Sequence, residues 1–295
     1  MPRVIAVTGA TGALGRRVVE RLAGREDVAL RLVVRETARA PRVPGAEVAA
    51  VPGGYADGPG LTAALAGVHT LYLVSAAEAE DRLQQHLTAV GAAAAARVQR
   101  VVYTSFLAAA PDAVFTLARQ HAATEEALAA TGVRTTVLRH AMYADFVPFF
   151  AVLEDGRAVI AAPADDGRAS FASRDDLADV AAAVLLDDSP ALDGAVLDVT
   201  GPEALSLDDA AAVLAEVTGR PATYRRQTVE EAWATRRPSG HPDWEVEGWV
   251  TSYRAIAAGE MARVTDGVPT LTGHPARTVA EHLRAHPEDW AHLRS

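Results

Sequence analysis

The chain contains no cysteine and no lysine: all 28 of its Lys+Arg positions are arginine. Without cysteine there is no disulfide, no thiolate nucleophile and no cysteine-ligated metal. Without lysine there is no Schiff-base chemistry and no lysine-assisted proton transfer. No apolar run approaches the roughly 20 residues that span a bilayer. The opening Met-Pro-Arg passes straight into a strand pattern, which leaves no room for a signal peptide. A soluble, cytoplasmic protein is expected. The formal net charge of −10, with both signs interspersed, argues against nucleic acid or an anionic membrane as partner. What the 295 residues do hold is 49% hydrophobic content, enough for a full core in one large α/β domain or a domain with an appended lobe.

Short apolar runs alternate with helical spacings through the first half. Val4-Ile5-Ala6-Val7 reads as a buried strand, followed by Leu14, Val18, Val19 and Leu22 along one helix face. Further strands are predicted at 29–34, 46–51, 69–74, 99–104 and 134–139, with helices near 59–66, 79–96 and 114–131. This interleaving implies a doubly wound parallel sheet of Rossmann type. The "GAAAAA" run at 91–96 reads as close helix packing. Beyond about residue 142 the pattern changes, to strands at 195–200 and 222–226 and helices near 174–186, 206–218 and 228–236. A Rossmann domain over 1–142 and a smaller α/β substrate lobe over 143–295, part of it returning to the sheet, are expected, with a cleft between them.

Residues 8–15 read T-G-A-T-G-A-L-G, with glycines at 9, 12 and 15 between a strand and a helix. Glycine permits a tight turn and lets backbone N–H groups approach a pyrophosphate at the helix N-terminus, while Gly15 allows helix and strand to pack closely. At the end of the second strand an acidic residue would select NAD. "VVRETAR" instead offers Arg35 and Arg39, which suit the 2′-phosphate of NADPH over NADH. Glu36 complicates this by offering Arg39 a surface partner. The other reading of both arginines is plain surface charge.

With "TGATGALG", "VVRETARA", "LAGVHTLYLVSA", "VVYTSFLAA", "ATEEALAATGVRTTVLRHAMYADF" and the closing "GHPARTVAEHL", the chain resembles the NmrA-like branch of the atypical short-chain dehydrogenase/reductases, nearly from end to end. Its nearest-looking members are small NADPH-dependent quinone and triphenylmethane-dye reductases. The resemblance implies Gly9, Thr11, Gly12, Ala13, Leu14 and Gly15 at the pyrophosphate and Arg35 at the 2′-phosphate. It implies Gly54 and Tyr55 near the adenine, Ser75 and Ala76 along the ribose, and Thr104, Ser105 and Phe106 beneath the nicotinamide. The family often has Asp where Gly54 stands, so adenine contacts here fall to the backbone.

Typical short-chain reductases carry a Tyr-x-x-x-Lys helix in which Lys lowers the Tyr pKa and Tyr donates a proton. The alignment puts Leu117 at the Tyr and His121 at the Lys, so the dyad is absent. Quinones and cationic dyes accept hydride readily and dispense with a strong acid. Candidate catalytic residues are His121, facing the cofactor or merely polar on its helix, and His140 and Tyr143, just after the 134–139 strand. Tyr143 is read as a substrate-facing donor or stacking residue, or as core. Phe146, Phe149 and Phe150 suit a flat aromatic substrate or the core. His282 and His286 have i, i+4 spacing and read as a solvated C-terminal helix, without a metal. Asp175-Asp176 reads as a helix cap, and "HPDWEVEGW" (241–249) as a lid or a dimer contact. The expected function is an NADPH-dependent reductase of a conjugated acceptor such as a quinone or aromatic polyketide, without flavin or metal, as monomer or homodimer. The alternative is a non-catalytic NADP(H)-binding redox sensor.

Overall fold

The structure, a computed structural model, describes residues 2–294. Met1 and Ser295, the outer ends of the two expected regions, lie outside the described residues. Val4–Val7 form the centre of β1 (Arg3–Thr8), and α1 (Ala13–Leu22) turns Leu14, Val18, Val19 and Leu22 inward at helical spacing. Then follow β2 (Val28–Val34), β3 (Glu47–Ala50), α2 (Gly58–Ala64), β4 (Thr70–Leu73), α3 (Arg82–Ala95), β5 (Arg100–Phe106), α4 (Thr116–Ala130) and β6 (Arg134–His140). The chain continues through β7 (Met142–Tyr143), α5 (Phe146–Phe149), β8 (Ala151–Glu154), β9 (Arg157–Ala162), β10 (Arg168–Ala172), α6 (Arg174–Leu186) and β11 (Val196–Val199). It ends with β12 (Ala204–Ser206), α7 (Leu207–Thr218), β13 (Ala222–Arg226), α8 (Val229–Arg236), α9 (Asp243–Ala257), α10 (Gly267–Thr272) and α11 (Val279–Ala285).

Contacts divide the chain into two units. The first takes the segments up to Ser105, Gln120–Arg139 and Leu177–Leu197; the second takes Phe106–Arg119, His140–Asp176 and the chain from Asp198 onward. The seven-stranded sheet has the order β3-β2-β1-β4-β5-β6-β11. β1 pairs in parallel with both β2 and β4. The winding therefore reverses at β1, the place where such sheets open a ligand crevice at their carboxyl ends. The first unit's core joins Ala6, Leu71, Leu73, Val101, Tyr103 and Val137 of the strands to Ala89, Val90, Ala92 and Ala93 of α3. The run of small residues on α3 is thus close packing against the sheet.

The second unit holds two three-stranded sheets, β12-β10-β7 and β13-β9-β8, around a core that includes Ile160, Phe171, Leu214, Ile256 and Leu283. The β8–β9 hairpin, which the sequence reading passed over, turns on Asp155 (φ 47°) and Gly156 (φ 79°), a pair suited to the tight left-handed turn of antiparallel strands. Ser206, Thr228 and Thr278 open α7, α8 and α11 with reciprocal capping boxes. The 241–249 segment resolves into the start of α9, whose Val246 and Val250 pack on Ala232 of α8. Among the described residues, no helix is long and apolar enough to cross a membrane.

Candidate functional site

The turn after β1 is built so that only glycine fits it. Gly9 sits at φ +61°, and a Cβ there would lie 3.1 Å from Val74 Cβ. A Cβ on Gly15 would lie 2.2 Å from the Gly9 carbonyl oxygen, a backbone atom that cannot swing aside. Gly12 N–H donates to that same carbonyl at 2.9 Å, closing the turn. α1 then starts at Ala13, and Gly12 offers it no side-chain cap. The leading N–H groups of Ala13, Leu14 and Gly15 precede the first intrahelical bond, which makes an anion cradle of the helix end. Thr11, Gly12 and Ala13 are accessible, whereas the Leu14 side chain is buried and offers a ligand only its backbone.

Thr8 Oγ1 accepts from Val74 N–H at 3.0 Å, which ties the ends of β1 and β4 together. The Tyr55 hydroxyl lies 2.6 Å from Thr8 Oγ1 and donates to the Val74 carbonyl at 2.6 Å. Burial raises its pKa well above the usual tyrosine value. That hydroxyl is spent on the protein, leaving the ring for any ligand. Arg35, exposed at the end of β2, rests its stem near Gly54, where a Cβ would meet Arg35 Cδ at 3.3 Å. Arg39 faces Glu36 at 4.0 Å with both side chains more than half exposed, a solvated pair. Arg35 stands exposed at the end of β2, the strand paired with β1.

His121, on α4, is locked from both sides. The always-protonated Arg82 guanidinium donates to Nε2 at 3.0 Å, so that nitrogen carries a lone pair and the ring is neutral. Its proton then sits on Nδ1, which meets the Tyr103 hydroxyl at 2.8 Å. Arg82 also donates to the Ala76 carbonyl at 2.8 Å, while Ala76 N–H donates to His86 Nε2 at 2.9 Å. Burial, then the Arg82 charge, pushes His86 down to about 3, which keeps it a neutral acceptor. The backbone of Ala76 is therefore held at both its N–H and its carbonyl. Ser105 donates to Glu125 Oε1 at 2.5 Å, and Arg139 braces that carboxylate with a second contact at 2.6 Å. Thr104 Oγ1 is buried without a hydrogen-bond partner, an orphan of the kind a bound ligand satisfies.

In the second unit His140 is 1% exposed with neither ring nitrogen bonded. Burial first, and the Arg174 charge second, lower it to about 3. The Tyr143 ring lies 6.4 Å from His140, centroid to centroid, and the Arg174 guanidinium sits 4.1 Å above it, itself paired with Asp145. Aromatic contacts continue from Tyr143 to Phe146 at 5.4 Å, Phe150 at 6.0 Å and Tyr253 at 5.1 Å. Phe146 and Phe150 pack on the core, whereas Phe149 is 73% exposed. The loop after β5 lines a cavity of about 290 Å³ with Leu107, Ala109, Asp112 and Glu260.

Two sequence expectations are corrected. His282 is not solvated but 1% exposed, because α11 folds back and its Nδ1 meets Ser173 Oγ at 2.9 Å. Asp175 and Asp176 do not cap α6; they occupy its first turn, and Ser173 Oγ accepts the Asp175 N–H instead. Asp176 is fully buried against Arg277. Arg82, Tyr103 and Arg174 were missed, since nothing local marks a residue whose partner arrives through the fold.

In the first unit the accessible glycine turn, the exposed Arg35 and the orphaned Thr104 hydroxyl fit a phosphorylated dinucleotide. Comparison with known proteins agrees with this geometry. Quinone oxidoreductase 2 of Escherichia coli K12 is 33% identical over 283 residues, covering 95% of this chain and 97% of the relative. The crystal structure of an E. coli NADPH-dependent quinone oxidoreductase complexed with NADPH superposes with a TM-score of 0.84 at 32% identity, over 96% of this chain and 99% of that one. The Citrobacter triphenylmethane reductase complexed with NADP(H) gives 0.82 at 29% identity, over 95% and 99%. Since the model of the NmrA-like family matches residues 1–239, most of the chain, the protein belongs to the NmrA-like family.

Proposed function

We propose that the chain is an NADPH-dependent reductase of a flat, conjugated acceptor, such as a quinone or aromatic polyketide. The observation that carries this reading is the Gly9–Gly15 turn at the reversal of the sheet, with Arg35 exposed at the end of β2. In this reading Gly9, Thr11, Gly12, Ala13, Leu14 and Gly15 hold the pyrophosphate through backbone N–H groups. Arg35 takes the 2′-phosphate, with Arg39 near, and Gly54 and Tyr55 border the adenine. Ser75 and Ala76 follow the ribose, and Thr104, Ser105 and Phe106 the nicotinamide. When bound, the reduced nicotinamide supplies hydride.

The chain's own residues hold and orient. His121, with both nitrogens engaged, acts by fixing Arg82 and hence the Ala76 backbone; it does not release a proton. His140 stays neutral and offers one N–H and one lone pair to a ligand. Tyr143 is assigned the proton donor or stacking face for the acceptor, with Arg174 stabilising negative charge nearby. The relatives at 29–33% identity that align over nearly the whole chain are named as reductases or oxidoreductases, which supports this reading over the redox-sensing one. The test is loss of reduced-nicotinamide absorbance with a quinone panel. Turnover is expected with NADPH, and at least tenfold slower turnover in Tyr143→Phe. Tight NADPH binding without turnover across the panel would sink the enzyme reading.

A further inference from the structure

The corner where β10 meets α6 and the C-terminal helix α11 bring together Asp175, His282 and His286, whose ligand atoms all lie within 4.8 Å of one another. None of these groups takes part in the nucleotide turn or in the aromatic run around Tyr143. His286 Nε2 lies 2.6 Å from Asp175 Oδ2, and its Nδ1 lies 3.2 Å from Glu288 Oε1. A neutral imidazole has one proton, so one of those contacts sets a lone pair against a carboxylate. Either a second proton or a metal cation resolves that conflict.

The neighbouring ring is placed where it can share such a cation. His282 is buried, its ring centroid 4.7 Å from that of His286. Its Nδ1 meets Ser173 Oγ at 2.9 Å, and that oxygen already accepts the Asp175 N–H at 3.2 Å. In the tautomer with its proton on Nδ1, toward Ser173, Nε2 keeps its lone pair for a cation; in the other, Ser173 donates to Nδ1 and Nε2–H donates to Asp289 Oδ2, 3.1 Å away. A hydroxyl holding the distal nitrogen is the support that orients a metal-binding histidine. On binding, the 2.6 Å contact between His286 and Asp175 opens to the ligand–ligand edge of a tetrahedral zinc ion, about 3.3 Å for bonds near 2.0 Å.

We propose that Asp175, His282 and His286 form a site for a divalent transition-metal ion of the zinc class. Two imidazole nitrogens and one carboxylate oxygen are a donor set that suits zinc better than magnesium or calcium, which prefer all-oxygen shells. The three ligands come from α6 and from α11 and the residue that follows it, so the ion's role is structural: it pins α11 to the first turn of α6. The sequence alone set the His282/His286 pair aside as surface.

The full chain, stripped with EDTA and dialysed, is titrated with zinc chloride by calorimetry and with cobalt chloride by visible absorption. One zinc per chain is expected, with an intense tetrahedral cobalt spectrum and a raised melting temperature. Asp175→Asn, nearly isosteric, and His286→Ala each weaken zinc binding by at least about a hundredfold, and Ser173→Ala by about tenfold. His241→Ala, removing an exposed histidine that pairs with Glu245, leaves affinity unchanged. Circular dichroism shows whether each variant folds, and Asp175→Asn carries the test if His286→Ala does not. A wild-type chain that takes up no zinc, as it would if His286 simply carried a second proton, overturns the proposal. Binding that is equal in wild type and Asp175→Asn does so too. Neither result touches the reductase reading, because quinone turnover uses none of these residues.

Discussion

His140 and His86 both fall to about 3 on folding, each chiefly through burial, from an ordinary value of 6.5. Between those values the unfolded chain binds protons that the folded chain refuses. Their contribution to stability is therefore fully present above pH 6.5 and is lost as the pH falls towards 3, at about 1.4 kcal/mol per pH unit for each group. His140→Gln, polar but not titrating, is expected to flatten the slope of unfolding free energy between pH 6 and 4 by about that amount. Urea titrations at stepped pH measure it, and an unchanged slope would count against a depressed His140. Position alone pointed to His140, because it follows the strand that ends at the sheet's carboxyl edge. Its lack of partners was not legible, nor was the lock on His121, whose partners Tyr103 and Arg82 stand 18 and 39 residues away. Local spacing carries no record of such pairings.

At the scale of elements, the helix at 174–186 and the strand at 222–226 emerge with the limits the pattern predicts. Both are bounded by residues that break or cap the pattern, and their apolar periods are unambiguous. The β8–β9 hairpin was missed because Arg157–Ala162 is buried on most positions and so shows no alternation. The junction of β1 and α1 makes its own prediction. Gly15→Ala drives a Cβ into the Gly9 carbonyl and must lift α1 from the turn. It is expected to cost about 1–3 kcal/mol of stability and to weaken NADPH binding at least tenfold. Gly24→Ala serves as the contrast, with φ +76° and nothing within 4 Å of the added carbon. It should cost about 1 kcal/mol through left-handed strain alone and leave nucleotide affinity intact. Thermal unfolding and fluorescence titration separate the two outcomes.

For the whole molecule, a ligand that binds only the folded chain stabilises it by mass action. NADPH at about a hundred times its dissociation constant adds about 2.7 kcal/mol, a rise of several degrees in melting temperature for a chain of this size. Arg35→Ala should abolish most of that rise for NADPH and barely change the smaller rise for NADH, because only the former carries the 2′-phosphate. Equal losses for both nucleotides would remove Arg35 from that role. The sequence by itself determined the parallel sheet, the glycine turn, the cationic end of β2 and the absence of a tyrosine–lysine dyad. Each is written in residue type and local spacing, which act over a few positions. Only the tertiary structure decided that His121 is held neutral by Arg82, that Tyr143 lies under Arg174, and that His282 is buried beside Asp175 and His286. Those outcomes depend on which distant side chains share a dehydrated space, where a charge or a lone pair without a partner is costly.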